Sequence, residues 1–342
     1  MDVGSAPSVR ETRCQMRYRF LASPRVIVGA TGLAWLTIVP MTGQSQTTAP
    51  GRAAPAAFAT NQTKAAWTPP RTLDGQPDIS GTWVNFDSTP FETSGSRPAP
   101  GNANPGINPP AHWTDHDSPT SVRRSSMVVD PADGRVPVLP WAEAKRDYDL
   151  AHLGDSYVHE TPWVRCITRG VPAGMFPAGY NNAYQIVQVP GYVVIAYEMI
   201  HETRIIPIDG RPHVGRNIRL WNGDPRGHWE GQTLVVDTTN YNDKGSIATS
   251  AATSRIRGIP QSEKLHVVER FTPADAGTIT YEVTVDDPVV YARPWTVALP
   301  LNRDSKYQFF EYACHEGNVA MAAELSGGRA QDKAAEASHG KR

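Results

Sequence analysis

The residue types best suited to chemistry in this chain are two histidines, His201 and His315, set against carboxylates at Glu202, Asp224 and Glu316. Two imidazole nitrogens and an oxygen from Glu316, Glu202 or Asp224 would leave an open position for water on a bound metal. Without a metal, a histidine beside an Asp or Glu can take or deliver a proton at a carbonyl or hydroxyl. The catalytic candidates are therefore His201, His315, Glu316 and Asp224. Tyr180, Tyr184, Tyr197, Trp221 and Tyr312 supply aromatic walls and hydroxyl donors, and Arg226 and Asn240 supply polar contacts, so these seven are the ligand-binding candidates. Glu198-Met199-Ile200-His201 has the form of a Glu-x-x-His ligand pair, but that pair works on a helix, and on a strand its two side chains point to opposite faces. The spacing matches no metal signature, so no cofactor is expected, a divalent metal being the alternative. The competing structural reading makes Arg204, Arg219 and Arg226 cross-strand partners of Asp209, Asp224 and Asp237. There is no Gly-x-Ser-x-Gly elbow, phosphate loop or dinucleotide glycine fingerprint.

The elements that must position these residues are short strands. From Tyr184 to Asn318, β-branched and aromatic runs alternate with turn residues such as Pro190-Gly191, Asp209-Gly210 and Glu230-Gly231-Gln232. The pattern predicts strands at Tyr184–Val189, Tyr192–Ile200, Thr203–Ile208, Asn217–Trp221, Gly227–Trp229, Thr233–Thr238, Leu265–Thr272, Thr278–Val285, Trp295–Leu301 and Tyr307–Cys314. A first strand runs through Gly81-Thr82-Trp83-Val84. Leu265, Val267, Glu269 and Phe271 share one face, as do Ile279, Tyr281, Val283 and Val285. The fold class is mainly β: an antiparallel, up-and-down, barrel-like domain with one or two short helices. The best helix is Pro140 to Leu153, with Trp141, Ala144, Tyr148 and Ala151 on its apolar face, and a second covers Asn318 to Leu325. Threaded as a meander, one end receives His201, Asn222, Asp224, Arg226, Asn240 to Asp243, Asp286, Asp287, His315, Glu316 and Asn318. The other end receives Asp209, Arg211, His213, Glu230 and Asp275.

The ends of the chain indicate its compartment. Arg17, Arg19 and Arg25 precede an apolar run, Val26 to Val39, and a small-residue exit near Thr42 to Ser45, which reads as a signal peptide within residues 1–45. The run is short for a membrane span, so cleavage and export to the periplasm or exterior are expected, with no stable membrane span afterwards. Residues 46–76 form a flexible linker, 77–325 a single β domain and 326–342 a disordered tail. Cys14 falls before the cleavage point, leaving Cys166 and Cys314, which in an oxidising compartment form a disulfide, the alternative being two separate buried thiols. A net charge of -1 with interleaved acids and bases argues against nucleic acid.

Pro77-Asp78-Ile79-Ser80-Gly81-Thr82-Trp83, Tyr180-Asn181-Asn182, Glu198-Met199-Ile200-His201, Ile206 to His213, Trp229 to Val236 and Tyr312 to Asn318 resemble a large family of exported bacterial proteins, over most of residues 67–325. The resemblance implies export and a shared β fold, and carries over no catalytic residue. Gly81-Thr82-Trp83 before a string of antiparallel strands also resembles the opening of lipocalin-type (calycin) barrels, where the tryptophan closes one barrel end.

The expected function is recognition of a small, partly apolar organic molecule at the barrel mouth. The alternatives are an enzyme of hydrolase, lyase or isomerase type using His and carboxylate chemistry, with or without metal assistance, and a structural envelope protein.

Overall fold

The computed structural model describes residues 67–93 other than 86 and 88, and residues 124–339. The expected signal peptide and all of the linker before Trp67 lie outside the described residues. The ten strands are β1 (Gly81–Val84), β2 (Val128–Asp130), β3 (Ala183–Val189), β4 (Tyr192–Tyr197), β5 (Thr203–Pro207), β6 (Asp224–Glu230), β7 (Thr233–Thr239), β8 (His266–Asp275), β9 (Thr278–Asp286) and β10 (Trp295–Arg303). The helices are α1 (Pro140–Ala151) and α2 (Ala320–His339). All strands join one antiparallel sheet, nearly closed into a barrel, in the order β5-β4-β3-β1-β10-β9-β8-β7-β6, with β2 also on β10.

Period-two patterning builds this sheet. Val267, Glu269 and Phe271 of β8 and Ile279, Tyr281, Val283 and Val285 of β9 are all buried, while their neighbours face outward. Gly191 and Gly231, at φ 82 and 63, supply the left-handed residue that the two tight hairpins β3–β4 and β6–β7 require. Trp83, Tyr184, Phe271, Tyr281 and Trp295 fill the core, each worth about 1.5–3 kcal/mol or more on burial. Trp83 donates from Nε1 to the Ile79 carbonyl at 2.8 Å, and the Arg303 guanidinium covers its ring at 4.3 Å.

The path departs from a simple meander in two ways. First, β1 is inserted between β3 and β10, joining the ends of the sequence run into one sheet. Second, Asn217–Trp221 is no strand; only Leu220 bridges to Tyr241. Strand direction alternates along the nine-strand path, so the edges β5 and β6 run the same way and share no ladder. They lie against each other because Gly227 has no side chain: a Cβ there would sit 2.9 Å from Ile206 Cγ2 and 2.7 Å from Ile208 Cγ2. The connection from β5 to β6 must therefore travel back along the barrel, which short extended runs in the sequence disguise as one more strand.

Four other expectations are corrected. Tyr307–Cys314 is irregular, because its backbone is used to grip other segments rather than the sheet. The strand from Tyr192 ends at Tyr197, where a tight turn through Ile200 (φ 63) and His201 (φ 44) begins. On α1 the expected apolar face looks outward, with Trp141 47% and Tyr148 54% exposed; the buried residues are Ala142 and Arg146. The tail from Ser326 is helical to His339 as part of α2, an Ala-rich stretch with good helix formers and no buried residue. The described end of the linker joins the body: Trp67 and Pro70 line a cleft with Trp83. Among the described residues no helix is long and apolar enough to cross a membrane.

Inside the barrel, Arg204 of β5 reaches Glu269 of β8 through two bonds, Nη1 to Oε1 at 3.0 Å and Nη2 to Oε2 at 2.5 Å. Tyr197 accepts from Arg204 Nη1 at 2.9 Å and Tyr281 donates to Glu269 Oε1 at 2.9 Å. Burial alone would lower the guanidinium, but Glu269 and Tyr197 more than reverse this and hold Arg204 well above its ordinary value.

Candidate aromatic cleft at the His201 end

At the end of the barrel where β4 turns into β5, Trp163, Tyr180, Tyr312, Cys314, Glu316 and Asn318 line a cleft of about 520 Å³. Two irregular segments form its walls, and covalent and polar ties hold them together. Cys166 and Cys314 form a disulfide with Cα atoms 5.6 Å apart, and Asn318 Nδ2 donates to the Val164 carbonyl at 3.1 Å. The Tyr180 and Tyr312 rings stack at 6.1 Å with their hydroxyls 3.4 Å apart, and Trp163 stands 6.4 Å from Tyr180. Burial, with the Tyr312 hydroxyl beside it, pushes Tyr180 well above the usual phenol range, so it stays a neutral donor. Beneath the cleft Ala178, Met199 and Ile200 form a small apolar cluster against Trp163, Tyr312 and Cys314.

The Glu-x-x-His motif is a clamp on this wall. Glu198, fully buried, accepts from the Tyr307 hydroxyl at 2.6 Å and from the Phe310 amide at 3.1 Å. His201 Nδ1 donates to the Tyr312 carbonyl at 2.8 Å. The two left-handed residues at Ile200 and His201 are what let both side chains reach the same passing segment. The motif thus positions Tyr312, while the ring of His201 stays outside the cleft lining. His315 is exposed and does not line the cleft; Glu316 does, from its rim.

The remaining candidates are placed elsewhere. Tyr184 and Tyr197 are core residues, packed edge to face at 5.5 Å, and burial raises Tyr184 to about 12. Trp221 lines a different cleft beside α1. Asp224, Arg226 and Asn240 sit with the outer face of β6, β7 and β8, where His213 spans two carboxylates: Nδ1 is 3.1 Å from Asp224 Oδ2 and Nε2 is 3.0 Å from Asp237 Oδ1. His266 Nε2 reaches the other oxygen of Asp237 at 2.7 Å. Arg226 Nη1 donates to Asp224 at 2.6 Å, and Asn240 Nδ2 donates to the Val214 carbonyl at 3.0 Å. The hydrogen bond from His266 holds Asp237 below the usual carboxylate range, and the same bond holds His266 above the usual imidazole range. His213 was expected at the opposite end. The return path of residues 208–223 carries it back along the barrel to Asp224. Asp237 and His266, outward on neighbouring strands, could have been paired from strand register alone.

The candidate set is therefore not one site. Tyr180, Tyr312 and Glu316 meet in the cleft, His201 braces it, Trp221 lines the cleft beside α1, His315 is exposed, and the other residues stabilise the barrel or its outer face. Among the described residues no group of three His, Cys, Asp or Glu side chains is placed to hold a metal ion. The cleft offers flat apolar faces, tyrosine hydroxyls and two carboxylates, Glu311 and Glu316. No family model, no curated protein and no solved structure matches this chain.

Proposed function

We propose that this protein acts outside the cytoplasm and binds a small, partly apolar organic molecule between Trp163, Tyr180 and Tyr312. The observation that carries the reading is a cleft of about 520 Å³ whose aromatic walls are fixed by a disulfide and by the Glu198 and His201 clamps. Rigid aromatic walls bind flat apolar ligands with little ordering cost, and tyrosine hydroxyls orient a ligand's polar edge. The disulfide suits an oxidising, periplasmic or secreted location. Binding is preferred to acid–base catalysis because neither His201 nor His315 lines the cleft.

The test is titration of the purified chain with 2-naphthol, an apolar ring system with one hydroxyl. Saturable binding is expected, and Trp163→Ala and Tyr180→Ala, each checked for an unchanged fold by circular dichroism, should weaken it roughly 2- to 12-fold. Binding that neither substitution changes, or none at all, rejects the reading.

A further inference from the structure

A second cleft, of about 520 Å³, lies between α1, the segment around residues 157–165 and the turns near residues 245 and 258. What distinguishes it is a concentration of buried polar atoms with no hydrogen-bond partner among the described residues. Arg146, entirely buried, donates from Nε to Asp147 at 2.5 Å, but its Nη1 and Nη2 have no partner. Glu160 Oε1, Thr161 Oγ1 and Ser246 Oγ, on residues lining the same cleft, are also without partners. Each such atom costs about 1–3 kcal/mol when left unpaired, and their residues line one cleft, so an occupant that parts the lining and pairs them is favoured.

The lining carries Lys145, Arg146, Arg165 and Lys244 against Asp149, Glu160 and Asp243, a mixed set in which the cations are in slight excess. Asp149 is already engaged by Lys145 at 2.5 Å and His159 at 2.9 Å. Arg165, over the Tyr157 ring at 5.4 Å, and Lys244 have no ion-pair partner among the described residues. Burial, then a hydrogen bond and charge from the neighbouring Glu324 carboxyl, push Glu160 up to about 7 against the pull of Arg257, and Glu160 Oε1 is left as an acceptor. Two free guanidinium nitrogens form a fork that matches the two oxygens of a carboxylate. Hydroxyl-bearing carbons would suit Thr161, Ser246 and Glu160, and the rings of Tyr157 and Trp221 offer flat faces to the C–H side of a sugar ring.

We propose that this cleft is a binding site for a small polyhydroxylated carboxylate, with the chemistry of a sugar acid, whose carboxylate pairs with Arg146 and whose hydroxyls pair with Thr161, Ser246 and Glu160. It is separate from the aromatic cleft and does not depend on it.

The experiment is calorimetric titration of the full chain with D-glucuronate, D-glucose and inorganic phosphate. Glucuronate is expected to bind and glucose to bind at least about tenfold more weakly, for want of the carboxylate. Arg146→Lys keeps the charge and loses the fork, and should weaken glucuronate about tenfold or more. Ser246→Ala removes a hydroxyl that has no partner among the described residues, so it should leave the melting temperature unchanged or raised while weakening glucuronate about fivefold. Trp163→Ala, in the other cleft, should leave glucuronate binding as it was. The proposal is overturned if glucuronate binds no better than glucose, if phosphate alone binds, or if Ser246→Ala binds glucuronate as wild type does; should Arg146→Lys fail to fold, the Ser246 comparison decides.

Discussion

The Arg204–Glu269 pair provides the sharpest energetic test of the fold, because it crosses the interior between strands that are not neighbours in the sheet. The side chains are 3% and 0% exposed. Glu269→Gln keeps the volume and the bond from Tyr281 but leaves the guanidinium buried without its counter-charge, at a cost of about 3–5 kcal/mol. Arg204→Met strands the carboxylate, which keeps only the Tyr281 hydroxyl, and should cost a similar amount. The double variant removes both charges and leaves mainly an under-bonded amide, worth about 1–3 kcal/mol. The two single losses should therefore exceed the double loss by at least about 3 kcal/mol. Urea unfolding followed by tryptophan fluorescence at neutral pH reads all four stabilities. Additivity within about 0.5 kcal/mol, or single losses below about 1 kcal/mol, would show that the two groups do not meet inside the barrel.

Two further outcomes follow from the outer face and from the cleft wall. Asp237→Asn should bring the His266 titration, followed by carbon-detected NMR of its ring, down toward the ordinary imidazole value. The raised histidine contributes stability at pH values below its unfolded value, and this is lost as pH rises through its folded value; the depressed Asp237 contributes above its unfolded value, and this is lost as pH falls. The stability gap between wild type and variant should thus be widest between about pH 4 and 6.5, and an unmoved His266 titration would refute the pairing. Replacing both Cys166 and Cys314 by alanine reopens a loop with ends 148 residues apart, for which chain entropy gives a loss of about 5 kcal/mol. A loss below about 1 kcal/mol in denaturant unfolding would mean that the bridge does not constrain the unfolded chain.

Much of the barrel was legible because its signals are local. Side chains alternate with period two, so the buried faces of β8 and β9, including Glu269, could be read residue by residue. Turn glycines fixed hairpins such as Pro190-Gly191 for the same reason. The α1 face was misread because Trp141 and Tyr148 carry apolar surface at helical spacing, whereas the buried positions are Ala142 and an arginine, which no hydropathy pattern would select.

The site was less legible, because it depends on which distant segments meet. From sequence alone came the antiparallel β class, most strand positions and the Cys166–Cys314 pairing; of the five aromatics expected to share a wall, the structure stacks Tyr180 on Tyr312 and places Tyr184, Tyr197 and Trp221 elsewhere. Only the tertiary structure decided that β1 closes the gap between β3 and β10, that Glu198 and His201 clamp the 307–312 segment, and that His213 returns along the barrel to Asp224 and Asp237. The physical reason is range: alternation and turn chemistry are set by a few adjacent residues, whereas these contacts follow from sheet closure, which depends on strand count and direction around the whole barrel.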